Sequence, residues 1–291
     1  MKTELTAPAK VNLSLHVTGR REDGYHELVS RMQKLDFCDL IELELNNSGV
    51  IEIDCDNDDV GADQSNLAVR AAHKFFLACN REGRHGLKIK LSKRIPIAAG
   101  LGGGSSDGAA VLKGLNELCG LPLSEGELID CGRSLGADFA FFISSHEAAL
   151  ATGIGDKLGQ VKTVDQYHYL LVNPGIQVET RWVYDNYRLT KKGDKFIFPG
   201  FLNSDDQVFT PADLHNDLEA VTITRHPVIA QIKELLMEAG AAGALMSGSG
   251  PTVFGLFENE RSTEAAALSL TRKFINETGY RIISAKAIGG A

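Results

Sequence analysis

The chain switches between stretches of period two and stretches of helical period. Val11, Leu13, Leu15 and Val17 share one face of Leu5–Val17, with Lys10, Asn12 and Ser14 on the other, which predicts a half-buried strand. Over 35–45, Ile41, Leu43 and Leu45 alternate with Glu42 and Glu44, and Ile51-Glu-Ile-Asp54 reads as a continuation of an antiparallel pattern. Leu87, Ile89 and Leu91 alternate with Lys88, Lys90 and, further on, Lys93. Asp63-Gln-Ser-Asn66 supplies caps for a helix carrying Leu67, Ala71, Phe75 and Phe76. A second helix, with Ala109, Val111, Leu112, Leu115 and Leu118 at helical spacing, follows a glycine cluster and stops at Gly120. Ser124 and Glu127 have the spacing of a capping box.

The later chain reads as a strand at Tyr169–Val172, a helix at Pro227–Ala239, a strand–turn–strand through Ala244 to Phe257, a helix at Glu264–Thr278 and a strand at Arg281–Ile288. That succession is, in part, the β-α-β-β-α-β of a split βαβ unit. A loop-like Gly153-Ile-Gly-Asp-Lys157 places the domain boundary, giving 1–155 and 156–291, and residues 190–207 read as a surface insert. The expectation is an α+β protein of two domains.

Composition narrows the class. Hydrophobic residues make up 43% and charged residues 23% of the 291, an ordinary globular balance. A net charge of −8 argues against non-specific nucleic-acid binding. No run approaches the roughly 18 apolar residues of a membrane span, and the first residues lack the apolar core of a signal peptide. The five cysteines are odd in number and none forms Cys-x-x-Cys, which favours free thiols in a reducing cytoplasm over disulfides or a zinc site.

The chemistry concentrates at Pro96-Ile97-Ala98-Ala99-Gly100-Leu101-Gly102-Gly103-Gly104-Ser105-Ser106-Asp107, between a strand and a helix. Such a loop lets backbone amides approach an anion, and the helix adds unpaired N–H groups and its positive end. Ser105, Ser106 and Asp107 are candidate caps, and a serine hydroxyl also suits a phosphate or its metal. No Gly-Lys-Ser/Thr follows, so this is not a P-loop, and Ser105 stands where a dinucleotide fingerprint needs its third glycine. A flexible turn with ordinary capping serines is the alternative. Asp138, among Phe139, Phe141 and Phe142, is either a catalytic base with a positive partner or a capping residue. Lys10 beside Asn12 suits an anion or a sugar-like hydroxyl, or is a solvated strand face. Tyr25 and His26, after Gly24, suit a stacked and hydrogen-bonded base, or are structural. Ser247-Gly-Ser-Gly250 is a hairpin turn or a second wall of a site.

Three separated stretches together resemble the GHMP small-molecule kinases: Ala7-Pro-Ala-Lys10-Val-Asn12, Pro96 to Asp107, and Ser247-Gly-Ser-Gly-Pro-Thr252. The glycine triplet, Gly24-Tyr-His26 and Leu135-Gly-Ala-Asp138 are similar to the branch that phosphorylates the 2-hydroxyl of 4-diphosphocytidyl-2-C-methyl-D-erythritol, a step towards isoprenoid precursors. The resemblance implies an N-terminal ribosomal-protein-S5-like domain, a C-terminal ferredoxin-like domain, and use of ATP with Mg²⁺. It implies that Pro96–Ser106 wrap the ATP phosphates, that Asp138 is the base, and that Lys10 holds Asp138 ionised. Tyr25 would stack on cytosine, His26 would hydrogen-bond it and Asn12 would lie near the acceptor hydroxyl. Thr180 and Tyr184 resemble the substrate-side threonine and aromatic, with Tyr184 standing where some members carry phenylalanine. Asn66 and Leu67 match a segment near the nucleotide, and Lys93 would flank the adenine. Asp107 and Gly108 depart from the family's asparagine and alanine, which leaves the role of Asp107 open. A monomer or weak homodimer in the cytoplasm, with no nucleic-acid or membrane partner, is expected. Homoserine- or mevalonate-type kinases and a silent nucleotide-binding regulator on the same fold are the alternatives.

Overall fold

The structure, a computed structural model, describes residues 1–57, 59–61, 64–81, 83, 85–187 and 208–289. The predicted insert at 190–207 and the predicted cap Asp63 lie outside these residues. The described chain divides into two compact units. Unit 1 comprises 1–9, 37–97 and 102–146, and unit 2 comprises 10–36, 98–101 and 147–291. This division is discontinuous where a single boundary at 155 is expected from sequence, because two long strands and the glycine loop each contribute to both units. Those strands are β1 (Lys2–Arg20) and β2 (His26–Asn46), longer than their alternation alone predicts.

In unit 1 the strands β3 (Ile51–Cys55) and β4 (Gly86–Ser92) extend the sheet in the order β3-β4-β2-β1. β4 pairs antiparallel with Leu40–Asn46 of β2, but β3 pairs parallel with β4, from Ile51↔Leu87 to Cys55↔Leu91. The antiparallel expectation for β3 therefore fails. Its alternation specified a strand face and carried no information about the partner's direction. Helices α1 (Leu67–Ala78), α2 (Gly103–Leu118), α3 (Glu125–Arg133) and α4 (Phe139–Ile143) cover the apolar face. Ile41, Leu43, Leu87, Ile89, Phe75, Val111, Leu115 and Phe139 form one buried cluster there. Asn66 caps α1, accepting from the Ala68 amide at 2.9 Å, and the Ser124–Glu127 capping box opens α3.

In unit 2 β5 (Ala148–Gly153) pairs antiparallel with Leu28–Gln33 of β2 and with β6 (Lys157–Gln160). The loop-like Gly153–Lys157 is thus the turn of a hairpin. β7 (His168–Asn173) leads to α5 (Thr180–Asn186), then to a 3₁₀ turn at Pro211–Asp213, β8 (His215–Asn216) and α6 (Glu219–Arg225). After α7 (Val228–Glu238) come β9 (Gly243–Met246), β10 (Val253–Phe257), α8 (Glu260–Lys273) and β11 (Arg281–Lys286). The second sheet runs β11-β7-β10-β9, with every neighbouring pair antiparallel. The first of its strands in the chain is central and the last lies at an edge, the ferredoxin-like order expected of a split βαβ unit. Leu170, Val172, Val253, Phe257, Ile229, Ile232, Leu236 and Leu270 pack into a separate core. Among the described residues no helix is long and apolar enough to cross a membrane.

Candidate active site

Unit 1 holds the C-terminal half of the glycine loop. Gly102, at φ +73°, is the N-cap of α2, so the helix begins earlier than its candidate caps Ser105, Ser106 and Asp107. No side chain caps it, and the first-turn amides of Gly103 to Ser105 point out of the helix end without intrahelical acceptors. The glycines also permit close packing. A Cβ on Gly103 would lie 3.0 Å from Ile95 Cγ2, and one on Gly108 only 2.5 Å from Phe139 Cζ. Phe139 follows Asp138, so a small residue at 108 lets α4 press against α2. Gly136, in the turn before Asp138, has Ser105 Oγ 3.3 Å from where its Cβ would be. The Leu135–Asp138 turn and the start of α2 are therefore neighbours. Asp138 stands at the N-cap position of α4, yet its side chain makes no capping hydrogen bond. The purely capping reading is excluded.

Buried charge sits behind this helix start. Lys93 Nζ, on a side chain 5% exposed, lies between the carboxylates of Asp39 and Asp107, 2.7 Å from the latter. Asp39 also accepts the backbone amides of Arg94 and Ile95. Burial works against the Lys93 charge, but the two carboxylates hold its pKa above the ordinary lysine value. Burial raises the Asp107 carboxyl to about 7, with Asp39 adding to the rise and Lys93 opposing it. Lys93 thus braces the start of α2 from behind. Asp39 was missed, although Phe37, Asp39, Ile41 and Leu43 share one alternating face and a carboxylate there requires a cation. Ser106 Oγ and Asp107 Oδ1 are buried and make no hydrogen bond among the described residues. Two hard oxygen atoms of this kind, at a helix start, suit Mg²⁺ and phosphate chemistry. Asn66 is committed to its own backbone, donating to Gly61 O at 2.9 Å while capping α1, and Leu67 packs beneath Gly104.

Unit 2 holds the other half of the loop. Gly100, at φ +76°, passes so close to the 247–250 turn that a Cβ would lie 2.1 Å from Ser247 O. Ser247 Oγ donates to Gly100 O at 2.9 Å, and Thr252 N donates to Ala99 O at 3.3 Å. The Ser247–Gly250 segment is therefore both a hairpin turn, joining β9 to β10, and a clamp on the loop. Lys10 N donates to Leu101 O at 2.9 Å, and Lys10 Nζ donates to Asn12 Oδ1 at 2.6 Å. Asn12 Nδ2 donates to Ser30 Oγ at 2.7 Å, which in turn donates to Ser14 O. Both Lys10 and Asn12 are buried, so the solvated-face reading fails.

A ring cluster lies in the same unit. His26 stacks on Tyr184 with centroids 5.3 Å apart and meets Tyr187 edge-on at 6.3 Å. Burial, reinforced by Arg20, lowers the His26 pKa and keeps the ring neutral. Tyr25 is 62% exposed beside it. Thr180 Oγ1 lies 2.8 Å from Ser249 Oγ. Ser249 falls in the Ser247–Gly250 stretch marked from sequence as a possible second wall, whereas Tyr187 and Ser30 were not singled out, and nothing in their local pattern marks them.

The chain belongs to the GHMP kinase family. Its residues 66–150 match the model of the GHMP kinases N terminal domain, and 203–276 match that of the GHMP kinases C terminal. A 4-diphosphocytidyl-2-C-methyl-D-erythritol kinase of Syntrophotalea carbinolica is 48% identical, over 97% of this chain and 98% of the relative. One of Desulfotalea psychrophila is 41% identical over 99% of this chain and 96% of the relative. A crystal structure of 4-(cytidine 5'-diphospho)-2C-methyl-D-erythritol kinase superposes with a TM-score of 0.78 at 32% identity, covering 99% of this chain and all of that one. A homoserine kinase from Cytophaga hutchinsonii reaches a TM-score of 0.76 at 17% identity, which is a likeness of fold.

Proposed function

We propose that this protein transfers the γ-phosphoryl of ATP to the 2-hydroxyl of 4-diphosphocytidyl-2-C-methyl-D-erythritol, giving the 2-phosphate and ADP. The observation that carries the reading is near-full-length identity of 41–48% to 4-diphosphocytidyl-2-C-methyl-D-erythritol kinases, joined to the presence of Lys10, His26, Asp138 and the glycine loop. Homoserine and mevalonate kinases share the fold at 16–17% identity, which leaves their substrates unsupported.

Phosphoryl transfer asks chiefly for positioning and charge stabilisation. The amides at the start of α2 and the loop Pro96–Ser106 replace water around the phosphates. The buried hydroxyl of Ser106 is an oxygen donor suited to the phosphates or to Mg²⁺. Mg²⁺, when bound with ATP, neutralises charge on the transferring group. Asp138 accepts the proton of the attacking hydroxyl, and Lys10 binds charge at the transferring phosphoryl. Asn12, fixed by Lys10 and Ser30, orients the acceptor. Tyr25 and Tyr184 supply aromatic faces for cytosine, and the neutral His26 supplies a hydrogen bond to its edge. Thr180, held by Ser249, lies on the substrate side. Residues 1–155 then form the nucleotide-binding domain, which also supplies Asn12, Tyr25 and His26 to the substrate, and 156–291 the second, substrate-side domain; the enzyme acts in the cytoplasm as a monomer or weak homodimer.

Coupled ADP release measured with 4-diphosphocytidyl-2-C-methyl-D-erythritol, homoserine and mevalonate tests this. Turnover with the first alone is expected. Equal or greater turnover with either of the others would overturn the reading, and ATP binding without turnover would favour a regulator.

A further inference from the structure

The polar face of β1 continues past Lys10, Asn12 and Ser14 to His16, and the kinase chemistry makes no use of it there. β8 lies parallel to β1, with Ser14 opposite His215 and Leu15 opposite Asn216. This register brings the His16 and His215 rings into a stack, 4.3 Å between centroids and 9° from parallel. Asp217 follows in the chain, and its Oδ1 lies 2.7 Å from His215 Nε2. The backbone holds Asp217 in place at two points, since its Oδ2 accepts from Val17 N at 2.7 Å and its own amide donates to Leu15 O at 3.0 Å. One donor atom from each of the three side chains lies within 4.8 Å of the other two.

We infer that His16, His215 and Asp217 form a binding site for one borderline divalent transition-metal ion, of the zinc, nickel or copper(II) class. Two imidazoles and a carboxylate are the donor set such ions favour, whereas Mg²⁺ prefers oxygen alone. Bonds of about 2.0–2.2 Å require the donor atoms to approach each other more closely than this outer limit. With β1 and β8 held by their pairing, that approach falls to rotation of the two rings about their side-chain bonds. The carboxylate's second oxygen is already anchored, which is the supporting contact that orients a metal ligand.

The site would tie β8 to β1. It also borders the ring cluster, because Asp217 lies near the Tyr187 hydroxyl, whose pKa is raised first by burial and then by the Asp217 charge. The inference is independent of the kinase reading, and either can fail alone.

The test uses the full chain, stripped with chelator and kept in excess Mg²⁺ to fill hard-ligand sites. Zinc chloride is titrated by calorimetry, and Co²⁺ binding is followed by absorption. One saturable zinc site is expected, with a cobalt spectrum free of thiolate-to-metal charge transfer, so that the five cysteines are not the ligands. His215→Gln and Asp217→Asn should each weaken zinc by about tenfold or more, and zinc should raise the Tm of the parent protein but not of the variants. The cobalt spectrum of the parent needs no variant, so a poorly folding substitution leaves the test intact. Absence of a saturable site, thiolate charge transfer, or unchanged affinity in both folded variants would overturn the inference.

Discussion

In unit 1 a lysine ammonium is buried between two carboxylates behind the glycine loop, whereas in unit 2 the proposed base-recognition residues are neutral rings stacked on one another. The first arrangement is costly to assemble and costly to break. Each ion leaves water, and the loss is offset only while all three partners and the Arg94 and Ile95 amides are in place. The second arrangement tolerates loss of one member, because rings contribute area and orientation in increments. The difference separates residues that hold the catalytic frame from residues that choose what enters it. Truncation should therefore damage stability in the first region and specificity in the second.

The largest effect is expected from Asp138→Asn, which removes the proposed base while keeping the side-chain shape. A fall in kcat of about 10²–10⁴-fold with ATP affinity kept is the expected outcome, measured by steady-state kinetics and nucleotide titration. Lys93→Met comes next. It leaves Asp39 and Asp107 buried without their cation and should cost about 3–5 kcal/mol of stability in denaturant unfolding. Adding Asp107→Asn to it should return part of that loss. Gly100→Ala places a side chain in a left-handed backbone position and against Ser247 O, so a loss of about 1–3 kcal/mol or more is expected by thermal unfolding.

A pH profile sharpens the contrast further. The Asp107 carboxyl titrates near 7 in the folded protein against 3.8 when unperturbed, so between those values the folded state holds a proton that the unfolded chain releases. Its contribution to stability is therefore complete below pH 3.8 and lost as pH rises towards 7. Asp107→Asn should flatten that decline in unfolding measured across the window. The smallest effect belongs to the rings. His26→Ala should raise KM for the cytidyl substrate about tenfold, with kcat and stability little changed.

Much of this frame was readable in the chain. Period-two runs placed β1, β2 and β4, helical spacing placed α1, α2 and α7, and the Ser124–Glu127 box located the start of α3. The second sheet's strand order followed from the order of its elements. What escaped depends on partners far apart in sequence. Nothing in Ile51–Asp54 reveals that its neighbour runs parallel, and the short strand β8 has meaning only beside Ser14 and Leu15. Lys93 has the parity of Leu87, Ile89 and Leu91, which turns it inward, and only Asp39 and Asp107 show what balances its buried charge. The start of α2 at Gly103 was hidden because glycine is a poor helix former, so the serines two positions on looked like the caps.

The most direct test is a single turnover with ATP labelled in its γ-phosphoryl and one equivalent of 4-diphosphocytidyl-2-C-methyl-D-erythritol, followed by ³¹P NMR. The account predicts a new phosphomonoester on the 2-oxygen of the methylerythritol unit, formed by the parent protein and all but abolished by Asp138→Asn. Release of the label only as inorganic phosphate, its arrival at another hydroxyl, or equal transfer by the variant would contradict it.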